Sequence, residues 1–128
     1  MTQKEIIHSE LSYKINGLLF EIHKELGRFQ REKQYGDALE IKLKESGLRY
    51  EREKILPIKI NGNFIKTNKA DFTIEDKILL ELKSIPFITK TEYYQLLRYL
   101  KSSELRLGMI VNFRERYLKP KRIINNEI

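Results

Sequence analysis

The chain has 128 residues, enough for a single domain spanning 1–128, and its lack of cysteine excludes disulfides, thiolate nucleophiles and zinc–sulfur sites. Charged residues make up 34%, no apolar run approaches the roughly 20 residues of a membrane-spanning helix, and the two histidines, His8 and His23, show no ligand spacing. The net charge of +7, from 25 Lys and Arg against 18 Asp and Glu, favours a polyanionic partner, because neutralised phosphates release condensed counterions.

The opening stretch, Met1-Thr2-Gln3-Lys4-Glu5, does not lead into the apolar core of a signal peptide, so a cytoplasmic protein with no membrane contact is expected. Ile7, Leu11, Ile15, Leu18, Ile22 and Leu26 then recur at the spacing of one apolar helix face, which Gly27 ends. A second helix is predicted from Arg31 to Ser46, with Tyr35, Leu39 and Leu43 as its stripe and Gly47 as its stop. From Leu48 the pattern becomes strand-like. Leu56 to Ile60 leads into Asn61-Gly62, a strong hairpin signal, and Phe64-Ile65 begins the return. Ala70 to Ile74 and Lys77 to Lys83 read as two further strand segments around a turn at Glu75-Asp76, and Pro86 ends that run. A third helix from Thr89 to Ser102 places Tyr93, Leu96, Leu97 and Leu100 on its apolar side. Leu107 to Phe113 is an inner strand by composition. The stretch from Arg114 to Arg122, with five basic residues and one acid, leads to a short final strand at Ile123-Ile124.

The third helix is a crossover, so the strands it joins should lie parallel. The expected fold is α/β: a mixed sheet of four to five strands flanked by helices, in the order α-α-β-β-β-α-β.

The chemistry concentrates in Asp71 and Glu81-Leu82-Lys83. On a strand, Glu81 and Lys83 share one face while Leu82 points to the other. A turn centred on Glu75-Asp76 would set Asp71 opposite Leu80, and a bulge or diagonal pairing would then bring it within reach of Glu81. Carboxylates so close repel, so one pKa should rise unless a cation lies between them. Hard divalent ions take such oxygen ligands, and Lys83 beside them suits the orientation or activation of a water. A surface strand with an ordinary Glu–Lys pair would carry the same letters. Ile78-Leu79-Leu80, apolar on both faces, argues instead that Glu81 and Lys83 emerge from a buried strand. Glu32 falls on the inward stripe of the second helix, one turn before Tyr35, although an acid at a helix start also complements the dipole. Gln95 and Tyr99 share a face of the third helix, as site-orienting groups or as surface decoration.

Gly27 to Tyr35 reads Gly-Arg-Phe-Gln-Arg-Glu-Lys-Gln-Tyr. Together with Leu11-Ser12-Tyr13-Lys14-Ile15, His23-Lys24-Glu25-Leu26-Gly27, Leu107-Gly108 and Asn112-Phe113, it makes the chain resemble the GxxExxY proteins, small members of the PD-(D/E)XK nuclease superfamily. Asp71, Glu81 and Lys83 match the superfamily's metal-binding and catalytic positions, and Glu32 matches its helical acid. Gln95-Leu96-Leu97-Arg98-Tyr99 resembles the Gln-x-x-x-Tyr motif of the RecB-like branch. Phe29 stands where family members usually have a second glycine, and Ala70 where the motif has proline.

The resemblance implies a restriction-endonuclease-like core that hydrolyses phosphodiesters, with DNA as the expected substrate. It also implies Mg²⁺ or Mn²⁺ on Asp71, Glu81 and the Leu82 carbonyl, with Glu32 as a direct or water-mediated ligand. Lys83 would then activate the water, while Gln95 and Tyr99 shape the site. Lys66, Lys69, Lys90, Arg98, Lys101 and the 114–122 segment are candidate backbone contacts. A second reading keeps the fold without turnover, as a nucleic-acid-binding or protein-interaction module. With so few insertions, the domain is expected to need a homodimer or protein partner to hold DNA.

Overall fold

The computed structural model describes residues 6–126; the opening stretch read above for a leader lies outside the described residues. Helix α1 (Ser9–Leu26) buries Ile15, Leu19 and Ile22 completely. Leu19 joins the predicted face, and Leu18 lies toward its edge, only partly buried. Helix α2 (Glu32–Ser46) begins one residue later than expected, with Arg31 as its N-cap, and buries Tyr35, Leu39 and Leu43. Gly47, at φ 72°, closes it by donating its N–H to the Leu43 and Lys44 carbonyls.

Strands β1 (Tyr50–Ile60) and β2 (Asn63–Ile74) form the long hairpin. Asn61 and Gly62 both have positive φ, as its tight turn requires. Strand β3 (Ile78–Lys83) is followed by α3 (Lys90–Ser103), whose start is fixed by a capping box between Thr89 and Glu92. Strands β4 (Leu107–Asn112) and β5 (Lys121–Ile124) complete a five-stranded sheet in the order β1-β2-β3-β4-β5. Only β3 and β4 pair in parallel, through the α3 crossover.

The sheet is covered on both faces. Helices α1 and α2 pack against Phe72, Ile74, Ile78, Leu80, Leu82, Met109 and Val111. On the other face, Leu96 and Leu100 of α3 meet Leu56, Ala70, Leu79 and Ile110. Gly108 permits this close approach: a Cβ there would lie 3.0–3.1 Å from the Leu96 and Leu100 methyls. Tyr93, expected on the inner side of α3, lies instead 43% exposed and edge-on to Tyr94. No helix among the described residues is long and apolar enough to cross a membrane.

The β2–β3 register differs from the expectation by one residue. Glu75 and Asp76 both have positive φ and form the turn, closed by the Lys77 N–H donating to the Ile74 carbonyl at 3.0 Å. Lys77 is then an extra residue, and pairing resumes as Ile74–Ile78, Thr73–Leu79 and Phe72–Leu80. This register sets Ile74, Ile78, Phe72 and Leu80 together in the α1/α2 core, and that burial selects it. Continued by one step, it places Asp71 opposite Glu81 rather than opposite Leu80.

Candidate active site

The ladder between β2 and β3 stops at Phe72–Leu80, and side chains take over. The Asp71 N–H donates to Glu81 Oε2 at 2.8 Å, and the Leu82 N–H donates to Asp71 Oδ2 at 2.8 Å. Each carboxylate thus supplies the acceptor that a paired strand would have offered. The β1 side of Asp71 is also interrupted. Arg52 pairs with Phe72 and Lys54 with Ala70, while Glu53 between them has φ 54°. Phe72 faces the α1/α2 core, yet Ala70, two residues earlier, packs against the α3 core. Strict alternation is broken at Asp71, as at a bulge, and this re-aims its side chain.

Glu81 is 3% exposed, and none of the described residues forms an ion pair with Glu81 or Asp71. Burial, and after it the neighbouring Asp71 charge, pushes its carboxyl up to about 9. Half-buried Lys83 opposes that shift without cancelling it. Its Nζ donates to Gln95 Oε1 of α3 at 3.0 Å. One turn further along α3, the Tyr99 phenol is raised by burial and then by the charges of Glu81 and Asp71. The structure therefore brings Asp71, Glu81, Lys83 and Gln95 together, with Tyr99 one helical turn beyond Gln95.

Glu32 is placed differently. It is exposed at the first position of α2, not on the buried stripe, and Oε2 accepts from the Ser84 N–H at 3.1 Å. The acid aims at the sheet, but at the end of β3 beyond Lys83. It lines a cavity of about 200 Å³ that Asp71, Leu82, Glu53 and Arg52 also line. Among the described residues, no three His, Cys, Asp or Glu side chains gather closely enough to form a ready metal cluster.

A family profile for the PD-(D/E)XK nuclease superfamily matches residues 9–124, which takes in both carboxylate strands, the lysine and all three helices. The chain belongs to that superfamily. No curated protein matches it. The PD-(D/E)XK framework accounts for the mixed sheet with its flanking helices. Nucleases of the superfamily generally use divalent metals. The donor set here suits such an ion: two neighbouring carboxyl groups, one deeply buried, with no ion pair to either among the described residues. Hard oxygen donors of this kind are what Mg²⁺ and Mn²⁺ take.

Two residues of this PD-(D/E)XK chain support the site through contacts that periodicity does not show. Tyr35, expected on the α2 stripe and as the last residue of the Gly27–Tyr35 motif, donates through its hydroxyl to the Gly27 carbonyl at 2.5 Å and accepts from the Gln30 N–H at 3.2 Å. Its ring stacks on Phe113, with centroids 4.0 Å apart. The Gly27–Tyr35 segment is therefore a clasp that fixes the approach to Glu32. Asn112, buried at the end of β4, accepts from the Ile85 N–H and donates to the Ile85 carbonyl. It holds the loop that follows Lys83. An Asn at a strand end signals little by itself, and its role emerges only from the parallel pairing of β3 with β4.

The candidate backbone contacts scatter. Lys66 and Lys69 are exposed on β2, Lys90 at the start of α3, and Arg98 and Lys101 along its outer face. Arg122 is not available to a ligand: its guanidinium donates to Ser12 Oγ and to the Ile7 carbonyl, tying β5 to α1.

Proposed function

We propose that the chain is a metal-dependent nuclease hydrolysing phosphodiester bonds, with DNA as its substrate, and that its finer affinity is with the GxxExxY proteins. One observation carries the reading. A buried carboxyl, Glu81, stands beside Asp71 with no ion pair to either acid among the described residues, and with Lys83, tethered to Gln95, nearby. Two acids packed so closely that one is driven to keep its proton cost stability at neutral pH, which a purely structural site would avoid.

Asp71, Glu81 and the Leu82 carbonyl would hold Mg²⁺ or Mn²⁺, with Glu32 acting through a water. A bound divalent ion supplies charge neutralisation and Lewis acidity toward the phosphate oxygens. Lys83, kept in place by Gln95, orients the attacking water and faces the negative charge that develops on the phosphate. Tyr99 keeps its proton at neutral pH, because burial and the two acids disfavour its phenolate. It can therefore donate a hydrogen bond to the scissile group. Lys66, Lys69, Lys90, Arg98 and Lys101 would contribute backbone contacts, with a homodimer or protein partner extending the grip.

The deciding experiment is a Mg²⁺/Mn²⁺ cleavage panel on single-stranded, duplex and branched DNA and on RNA. Glu81→Ala should abolish ion-dependent cleavage and Lys83→Ala should lower it about a hundred-fold or more, both leaving salt-sensitive binding measurable; equal cleavage by those variants would overturn the assignment.

A second reading is favoured by the displaced Glu32, which leaves the acids short of a three-carboxylate cluster. It makes the chain a module that binds nucleic acid or protein without turnover. Calorimetric titration with Mn²⁺ separates the two, since only the nuclease requires an ion at Asp71 and Glu81.

A further inference from the structure

Beyond β3, the surface changes character. Phe29, Phe87 and Tyr117 are 76%, 79% and 71% exposed. The Arg28 and Arg114 guanidiniums lie 5.1 and 5.8 Å from the Phe29 ring centroid, and Arg116 lies 5.5 Å from that of Tyr117. Phe87, Arg28, Arg114, Arg116 and Tyr117 line one open cleft of about 550 Å³, where Glu115 is the only acid among the described residues. None of its arginines forms an ion pair among the described residues.

We infer that this cleft is a stacking platform for unpaired bases, and that the substrate presents a single strand beside the scissile phosphodiester. The inference rests on the nuclease reading for its ligand class and deepens it. Exposed rings offer π-faces, and only unpaired bases can present theirs in return, because duplex bases are already stacked. Arginines beside the rings add guanidinium planes and phosphate contacts in the same place. A protein partner would also meet rings and arginines. However, an unpaired excess of cations over one acid complements a polyanion better than a mixed protein surface.

The platform is joined to the acids. Arg114 Nη2 donates to the Ser84 carbonyl at 3.2 Å, and Arg28 Nε donates to the Arg114 carbonyl at 2.8 Å. Ser84 directly follows Lys83, and its hydroxyl donates to the Gln30 carbonyl at 2.9 Å. Phe87 is four residues from Lys83, a backbone span of at most ~14 Å. A strand whose bases rest on the rings would thus pass its next phosphates toward Asp71 and Glu81.

The test is fluorescence anisotropy in EDTA, so that binding is read without cleavage. The probes are labelled 15-mers of oligothymidylate and oligouridylate, and a blunt hairpin duplex with the same number of phosphates. The native protein should bind at least one of the single strands more tightly than the duplex, and the tighter of the two assigns DNA or RNA. Phe87→Ala and Tyr117→Ala, at exposed positions that line the cleft, should each weaken single-strand binding about five-fold or more, with little change on the duplex. Arg116→Ala should lower the slope of log K against log salt by about 0.7. Equal affinity for duplex and single strands, or ring variants that bind like the native protein, would overturn the platform. The same proteins assayed for cleavage with Mn²⁺ keep the two ideas apart. Ring-dependent binding without any cleavage removes the nuclease reading alone, whereas cleavage that ignores the rings removes the platform alone.

Discussion

Asp71 and Glu81 hold each other across the point where β2 and β3 part: the Asp71 N–H donates to Glu81 Oε2, while Asp71 Oδ2 accepts from Leu82, the residue after Glu81. The acids are therefore structural acceptors as well as candidate ligands, and the two roles can be separated by substitution. Asp71→Asn keeps an acceptor for the Leu82 N–H, so its urea midpoint should stay near that of the native protein while cleavage is lost. Asp71→Ala leaves that N–H without its partner and should cost about 1–3 kcal/mol of stability in addition. If both variants unfold at the same urea concentration, the hydrogen bond contributes nothing and the acid's role is chemical alone.

Glu81 makes the fold pH-sensitive in a definite direction. Its carboxyl is raised from 4.5 to about 9, chiefly by burial and then by Asp71. The folded state therefore keeps a proton that the unfolded chain has released. The stabilisation is fully present below pH 4.5 and is lost as pH rises through about 9. Across that window the metal-free protein should lose up to about 1.4 kcal/mol per pH unit from this group. Thermal melts of Glu81→Gln in EDTA should be flatter with pH and lie above those of the native protein at pH 8. Stabilisation of the native protein by added Mn²⁺ should grow from pH 6 to pH 9, because the ion competes with that proton. Parallel melting curves for the two proteins across pH would refute the shift.

Tyr35 is where a motif residue turns into a mechanical part. Its hydroxyl closes the loop between α1 and α2 on Gly27 and Gln30, and its ring packs flat on Phe113. Tyr35→Phe keeps the stack and removes the hydroxyl, so a loss of about 1–2 kcal/mol is expected. Because the same loop delivers Glu32 to Ser84, ion affinity should fall alongside stability. A variant that melts lower yet binds Mn²⁺ like the native protein would confine Tyr35 to the fold.

The sequence carried the helices, the hairpin and the crossover because each has a local cause: periodicity, a glycine stop, an Asn-Gly turn. The register of β2 on β3 has no local cause. One extra residue, Lys77, moved Asp71 from Leu80 to Glu81, and only burial of Phe72 and Leu80 on the α1/α2 face decides it. Glu32 was misplaced for a related reason. Helical spacing aligned it with Tyr35, but the first residue of a helix projects beyond the packed face, and its partner is a backbone N–H 52 residues away. The meeting of Lys83 with Gln95 was likewise invisible to spacing, since it depends on how closely Gly108 lets α3 approach the sheet.

That contact supports the last prediction. Lys83 Nζ donates to Gln95 Oε1 at 3.0 Å, and the lysine is half-buried beside the acid pair. Lys83→Ala removes the cation that faces water and phosphate and should reduce kcat by about 10²–10⁴-fold. Gln95 acts through Lys83, so Gln95→Ala should cost less, about ten-fold in kcat, a loss of ~1.4 kcal/mol of transition-state stabilisation. Gln95→Glu keeps an acceptor for the ammonium and should restore part of that loss, whereas a merely structural glutamine would show no such rescue. The double variant Lys83→Ala/Gln95→Ala should be no slower than Lys83→Ala alone, since the positioning residue has nothing left to position. Single-turnover cleavage in saturating Mn²⁺ measures all four variants. Additive losses in the double variant would mean that Gln95 touches the substrate itself rather than acting through the lysine.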